Sequence, residues 1–269
     1  MNYSGKWALI TGASAGIGAA FARSFVKKGA NLILVARRLD RLEKLAEDLS
    51  ARYAVQCIAI AADLSIVDEA AKVVERIYEK GAHVDVLVNN AGYGMPGRFE
   101  ENNWEETRKA LELMVTGYAH FTHLVLPGMQ ERGWGRIIHV ASLAGLVPGS
   151  ARHTMYGASK GFMVSFAQSL AAENETTGVK VSAICPGFTY SEFHDVNGTR
   201  ALVSKLPSYV FMEAEPVVEG AIRAVEGNHV VYVPGAWNKF TAWVMKALPR
   251  PWAAALVKKQ SASFRKANG

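Results

Sequence analysis

Trp7-Ala8-Leu9-Ile10-Thr11-Gly12-Ala13-Ser14-Ala15-Gly16-Ile17-Gly18 begins as an apolar run and turns at once into a glycine-rich segment. Phe21, Phe25 and Val26 then recur at helical spacing until Gly29 stops the pattern. A strand, a glycine turn and a helix in this order are the context that a dinucleotide fingerprint needs. Glycine lets the backbone turn tightly and come close to a pyrophosphate, and the helix N-terminus favours the negative charge. The spacing is Gly-x-x-x-Gly-x-Gly rather than the commoner Gly-x-Gly-x-x-Gly, and an ordinary strand-to-helix turn has the same chemistry. Within the segment, Gly12, Ser14, Gly16, Ile17 and Gly18 are the candidate cofactor contacts.

The next apolar run, Leu32-Ile33-Leu34-Val35, ends in Ala36-Arg37-Arg38. NAD-binding folds commonly carry an acidic residue about 20 positions beyond the glycines, bonded to the ribose 2′-hydroxyl. Two guanidinium groups suit the 2′-phosphate of NADP instead. Arg37 and Arg38 therefore favour NADP(H) over NAD(H), against the alternative of a solvated basic turn. Further strand-like runs follow at Ile58 to Ala61, Val84 to Asn89, Arg136 to Ser142, Val179 to Cys185 and Val230 to Val233, with helical patterns between them. Alternation of this kind predicts an α/β fold: a doubly wound, Rossmann-like, seven-stranded parallel sheet with helices on both faces. No linker interrupts the pattern before Gly235, so a single domain is expected over 1–235, followed by a C-terminal extension over 236–269.

Of the nine tyrosines, only Tyr156 has a lysine four residues on, Lys160. On a helix these two share a face. A phenol titrates near pH ~10 and a neighbouring cation lowers that value, which would make Tyr156 a proton donor for a carbonyl. Ser142 lies fourteen residues before the tyrosine.

Taken together, Thr11 to Gly18, Asp63, Asn89-Asn90-Ala91-Gly92, Ser142, Tyr156 with Lys160, and Pro186-Gly187 resemble the short-chain dehydrogenase/reductase family. The matching residues run from Thr11 to about Gly187. The resemblance implies catalytic roles for Ser142, which would orient the substrate carbonyl, Tyr156, the acid/base, and Lys160, which would hold the nicotinamide ribose and lower the tyrosine pKa. It implies cofactor contacts at Asp63 (the adenine amine), at Asn90, Ala91 and Gly92 beside the adenosine, at Tyr156 and Lys160, and at Pro186, Gly187 and Ser191 over the nicotinamide. Ser191 stands where the family usually has threonine. The larger departure is Met114, in Met114-Val115-Thr116-Gly117, where the family usually has an asparagine that supports a proton relay. A thioether has no amide donors. Either water or a backbone carbonyl substitutes, or Met114 is simple helix packing. By resemblance the activity is an NADP(H)-dependent interconversion of a carbonyl and an alcohol, and homodimers or homotetramers form through helices at about 104–132 and 156–175. The alternative is an NADP-binding regulatory or membrane-surface protein with little turnover.

Between Gly187 and Met212 the chain is rich in aromatics: Phe188, Tyr190, Phe193, Tyr209 and Phe211. By resemblance this segment closes over the substrate, and an aromatic lining favours a small hydrophobic ketone, aldehyde or 3-oxoacyl compound; aromatics packed under a loop are the other reading. The chain carries a formal net charge of +6 over 269 residues. Seven basic residues and no acidic one lie beyond residue 235, so the body is near neutral and nucleic-acid binding is not expected. Trp237, Phe240, Val244 and Leu248 fall at helical spacing, with Trp243 beside them and Lys239 and Lys246 opposite. Three readings stay open for this extension: cover for the substrate pocket or a subunit contact, peripheral contact with a membrane, or a partner protein's groove. Cys57 and Cys185 fall in predicted strands as small hydrophobes, and the histidine spacings suggest no metal. With no leader pattern and no membrane-spanning run, a cytoplasmic location is expected, peripheral to a membrane if the extension binds one.

Overall fold

The computed structural model describes residues 1–190, 207 and 210–266, with side chains to Lys258. The first strand, β1 (Trp7–Thr11), is buried along its whole length. It pairs in parallel with β2 (Asn31–Ala36) on one side and with β4 (Val86–Asn89) on the other. With β3 (Cys57–Ala61), β5 (Gly135–Val140), β6 (Val179–Ile184) and the short β9 (Val231–Tyr232), these form one seven-stranded sheet in the order β3-β2-β1-β4-β5-β6-β9. Every described pair in it is parallel. This is the expected sheet, with strand limits within about two residues of the apolar runs.

Strands buried on both faces read as continuous apolar runs because alternate side chains feed different cores. Leu9, Ile33, Val35, Leu87 and Ile137 point into one core, packed against helices α3 (Glu69–Glu79), α5 (Gly117–Glu131) and α6 (Thr154–Glu173). Ala8, Ile10, Leu32, Leu34 and Val86 point into the other, packed against α1 (Gly16–Val26), α2 (Leu39–Tyr53) and α7 (Ala214–Glu226). Each fully buried leucine or isoleucine contributes about 1.5–3 kcal/mol. Between α4 (Trp104–Leu111) and α5 the helix widens to a π-helical turn, Glu112–Thr116.

The chain leaves β1 for β2 and β3 on one side and returns to β4 on the other. That reversal opens a crevice at the carboxyl ends of the strands, where ligands bind in open α/β sheets. The glycine turn, Arg37 and Arg38, Asp63, Asn90 to Gly92, Ser142 and Pro186-Gly187 follow β1, β2, β3, β4, β5 and β6 in turn, so all lie at this edge. Beyond Gly187 come two two-residue strands, β7 (Phe188–Thr189) and β8 (Phe211–Met212), paired with each other. The chain continues as α8 (Ala236–Ala247) and α9 (Arg250–Lys266). Ser191, Phe193 and Tyr209 lie outside the described residues.

Candidate active site

The glycine turn is locked to β4 before any ligand is considered. Thr11 Oγ1 accepts from the Asn90 and Ala91 amides at 2.9 and 3.1 Å. Asn90 Nδ2 donates to the Thr11 carbonyl at 2.8 Å and to the Gly12 carbonyl at 3.3 Å. A Cβ on Gly18 would collide with the Gly12 carbonyl and lie 2.7 Å from Asn90 Nδ2. Gly12 and Gly16 have φ of 66° and 53°, which glycine adopts freely. Asn90 thus braces the turn, and Thr11, absent from the expected contacts, supplies the hydroxyl that couples it to β4. The N-terminus of α1 has no side-chain cap and no acidic residue in its first turn. Its unsatisfied N–H groups and positive dipole end suit a diphosphate. Arg38 reaches across from the end of β2 and donates to Ser14 Oγ at 3.0 Å. Asp63 Oδ1 accepts from the Ser65 amide and hydroxyl at 3.1 and 2.7 Å. These groups together fit a nicotinamide dinucleotide.

Ser142 caps a 3-10 turn, Leu143–Gly145, its Oγ accepting from the Ala144 amide at 3.2 Å. The turn is tied to the segment after β6 by Leu143 N–H donating to the Pro186 carbonyl at 2.9 Å. Gly145 rests on α6: a Cβ there would stand 2.6 Å from the Lys160 carbonyl carbon. That contact holds Ser142 against the first turn of α6, where the Tyr156 and Ser142 side chains hydrogen-bond. Lys160, one turn on, is 4% exposed. Its Nζ donates to the Val140 carbonyl at 2.8 Å, contacts Met163 Sδ at 3.6 Å and lies 5.6 Å from the Tyr156 ring centre.

These surroundings reverse one electrostatic expectation. Burial pushes the Tyr156 phenol up to about 12, with the Ser142 bond pulling in the opposite direction. Burial also pulls the Lys160 ammonium down to about 7, opposed by the Cys185 thiol. The lysine was expected to depress the tyrosine, but at neutral pH it is a half-charged group turned towards a carbonyl. Desolvation is the largest influence on both groups. His139, beneath it, is kept neutral by burial and by Lys160, its pKa pulled down to about 3. Its Nδ1 accepts from Asn89 Nδ2 at 3.2 Å.

Met114 sits in the π-helical turn and is fully buried. A Cβ on Gly92 would be 3.1 Å from Met114 Sδ and 3.8 Å from Lys160 Nζ, so the thioether reaches the lysine's neighbourhood. The Val140 carbonyl, a backbone group of the kind expected to substitute for the missing amide, accepts from the lysine. Met114→Asn is therefore expected to change turnover by less than about tenfold in either direction, while a buried amide costs about 1–3 kcal/mol in stability. A rise of several orders of magnitude in steady-state rate would show that the methionine cripples the site.

Beside Gly187, Phe211 stacks on Tyr190 and meets Phe188 at a tilt, its ring centre 4.8 and 5.6 Å from theirs. A Cβ on Gly187 would overlap Asn238, whose Nδ2 donates to the Pro234 carbonyl at 2.9 Å and contacts Met212 Sδ at 3.6 Å. Asn238 thus fastens α8 to the segment after β6. It stands between Trp237 and Lys239, and nothing in its sequence context marks it.

The model of the short chain dehydrogenase family matches residues 6–200. The oxidoreductase UcpA of Salmonella typhimurium is 40% identical over 185 residues, which cover 69% of this chain and 70% of that one. The very-long-chain 3-oxoacyl-CoA reductase of Anas platyrhynchos is 31% identical over 269 residues, covering 97% and 81%. Among solved structures, a short-chain dehydrogenase from Sphingobium yanoikuyae in complex with NADPH superposes with a TM-score of 0.79 at 30% identity, covering 91% of this chain and 97% of that one. The chain belongs to the short-chain dehydrogenase/reductase family and is an oxidoreductase of that family.

Proposed function

We propose that the protein is an NADP(H)-dependent reductase of hydrophobic carbonyl compounds, acting through Ser142, Tyr156 and Lys160. The observation that carries this reading is the Tyr156 hydroxyl, bonded to Ser142 with Lys160 one turn away, at the same sheet edge as the glycine turn. When bound, the nicotinamide supplies the hydride for the carbonyl carbon. The Ser142 hydroxyl, released from its bond to Tyr156, donates to the substrate oxygen. Tyr156, a neutral phenol at pH 7 because burial holds its pKa high, transfers its proton to that oxygen. Lys160 in its cationic form offsets the phenolate left behind, and Val140 fixes where the ammonium points.

The cofactor preference rests on Arg38, drawn against Ser14 beside the glycine turn, and on Arg37 next to it. A phosphate bonded by a guanidinium gains about 1.5–3 kcal/mol per bond. Arg37→Ala with Arg38→Ala should weaken NADPH binding about 10–100-fold and change NADH binding less than about threefold, measured as separate dissociation constants. Equal losses for both would remove the 2′-phosphate argument.

A hydrophobic substrate body is supported by the aromatic cluster of Phe188, Tyr190 and Phe211 and by the likeness to a very-long-chain 3-oxoacyl-CoA reductase. We place the catalytic domain at 1–235 and treat 236–269 as an extension. Homo-oligomers through α4, α5 and α6 are part of the proposal, supported by the exposed Trp104 at the start of α4. A second reading, NADP binding with little turnover, is favoured by Met114 alone. The deciding experiment follows NADPH and NADH oxidation against a panel of apolar ketones, aldehydes and 3-oxoacyl thioesters. Turnover with NADPH supports the reductase; tight NADPH binding with none across the panel supports the second reading.

A further inference from the structure

Among the described residues no helix is long and apolar enough to cross a membrane, yet the last two helices carry a concentration of exposed hydrophobic side chains. Trp237, Phe240, Trp243, Trp252 and Leu256 are all exposed, Trp243 by 65% and Trp252 by 66%. The apolar stripe expected on α8 is rotated: Val244 and Leu248 turn partly inward, whereas Trp243, expected beside the stripe, is the most exposed aromatic of the helix. Lys239 and Lys246 are exposed on the flank of the same face rather than behind it. On α9, Ala253 and Val257 are buried while Trp252, Leu256 and Lys258 are exposed.

We propose that the segment 236–258 docks the protein on an anionic lipid surface, with the tryptophans and Phe240 entering the interface and the lysines meeting the headgroups. Three observations select this occupant. The segment from 236 to the end has seven basic residues and no acidic one, so its charge complements an anionic surface. A second copy would set this patch against itself, as a twofold interface requires, and would offer its lysines no carboxylate to pair with. Tryptophan and lysine on one exposed helix face are the composition of helices lying in the headgroup layer. Stacking on nucleic-acid bases fits less well, because Trp237, Phe240 and Trp243 lie against one another with ring centres 6.0 and 6.3 Å apart.

The dock has a consequence for the site, which rests on the reductase reading. Asn238 lies between the docking residues Trp237 and Lys239 and packs on Gly187 and Met212. A docked α8 therefore presents the aromatic cluster of Phe188, Tyr190 and Phe211 close to the surface, so a substrate dissolved in lipid reaches the site without crossing bulk water.

The test sediments the full chain with vesicles of phosphatidylcholine alone and of phosphatidylcholine mixed with phosphatidylserine. Pelleting is expected only with the mixture, reduced by salt, and weakened about tenfold or more in the double variant Trp243→Ala, Trp252→Ala. NADPH-dependent reduction of an apolar ketone should show a lower KM with mixed vesicles. A small water-soluble ketone should not, and the double variant should keep its vesicle-free rate while losing the KM effect. Equal pelleting with both vesicles, or none, overturns the proposal. So does a dimer that Trp243→Ala disperses, or an oligonucleotide that binds in place of vesicles. An unchanged KM with bound protein would remove the link to the site. Absence of turnover with either ketone would count against the reductase reading alone, since pelleting is scored without it.

Discussion

Tyr156→Phe should lower turnover by about a thousandfold while leaving the NADPH dissociation constant within about threefold. General-acid groups contribute typically 10²–10⁴-fold. Among the described residues neither neighbour takes the phenol's place: Ser142 is a much weaker acid, and Lys160 is turned towards the Val140 carbonyl. The loss should fall on kcat with little change in KM, because the phenol's proton moves only in the reaction. Binding is expected to survive because the turn at Gly12 to Gly18 is held by Thr11 and Asn90 and not by Tyr156. Ser142→Ala should cost less, since the phenol can still reach the substrate oxygen without its partner. Single-turnover kinetics beside a cofactor titration would check this. Turnover within tenfold of the wild type would remove Tyr156 from the mechanism.

The parallel sheet was legible because strands buried on both faces cannot alternate polar with apolar residues, and Leu32 to Val35 or Val179 to Ile184 stand out against their neighbours. The two-residue strands β7 and β8 had no run to betray them. Tyr156 and Lys160 were legible for a local reason, one helical turn. The surroundings that set their charge were not, because they converge from remote positions: Val140 at the end of β5, Met163 a turn further along α6, Cys185 after β6 and Gly92 after β4. From the sequence the pair reads as a cation helping a phenol to ionise. Once both are buried, the desolvation cost decides the sign. Gly145 and Asn238 were missed for a related reason. Each is fixed by the close approach of a second segment, to α6 and to Gly187 respectively, which has no periodicity to read.

The same desolvation makes Lys160 a residue that should cost the cofactor-free fold stability. Lys160→Met is expected to lower turnover by about a thousandfold and weaken cofactor binding, yet to make the cofactor-free protein more stable at pH 6. The ammonium falls from its ordinary 10.5 to about 7 on folding, and each unit is worth about 1.4 kcal/mol, a ceiling of about 5 kcal/mol. The lost bond to Val140 offsets about 1.5–3 kcal/mol of that, leaving a net gain of at most about 2–3.5 kcal/mol. The sign with pH follows from proton binding. Below about pH 7 the lysine is charged in both the folded and the unfolded chain, so the whole penalty is present. Between about 7 and 10.5 the unfolded chain holds more protons than the folded one, so wild-type stability rises with pH. The advantage of the methionine should therefore shrink steadily from pH 7 to 10. Urea unfolding of both proteins at pH 6 and pH 9 would measure it. A variant less stable than wild type at pH 6 would mean that the bond to Val140 repays the burial in full. A lysine that weakens the resting fold and is indispensable to turnover is a functional group held against the preference of its surroundings.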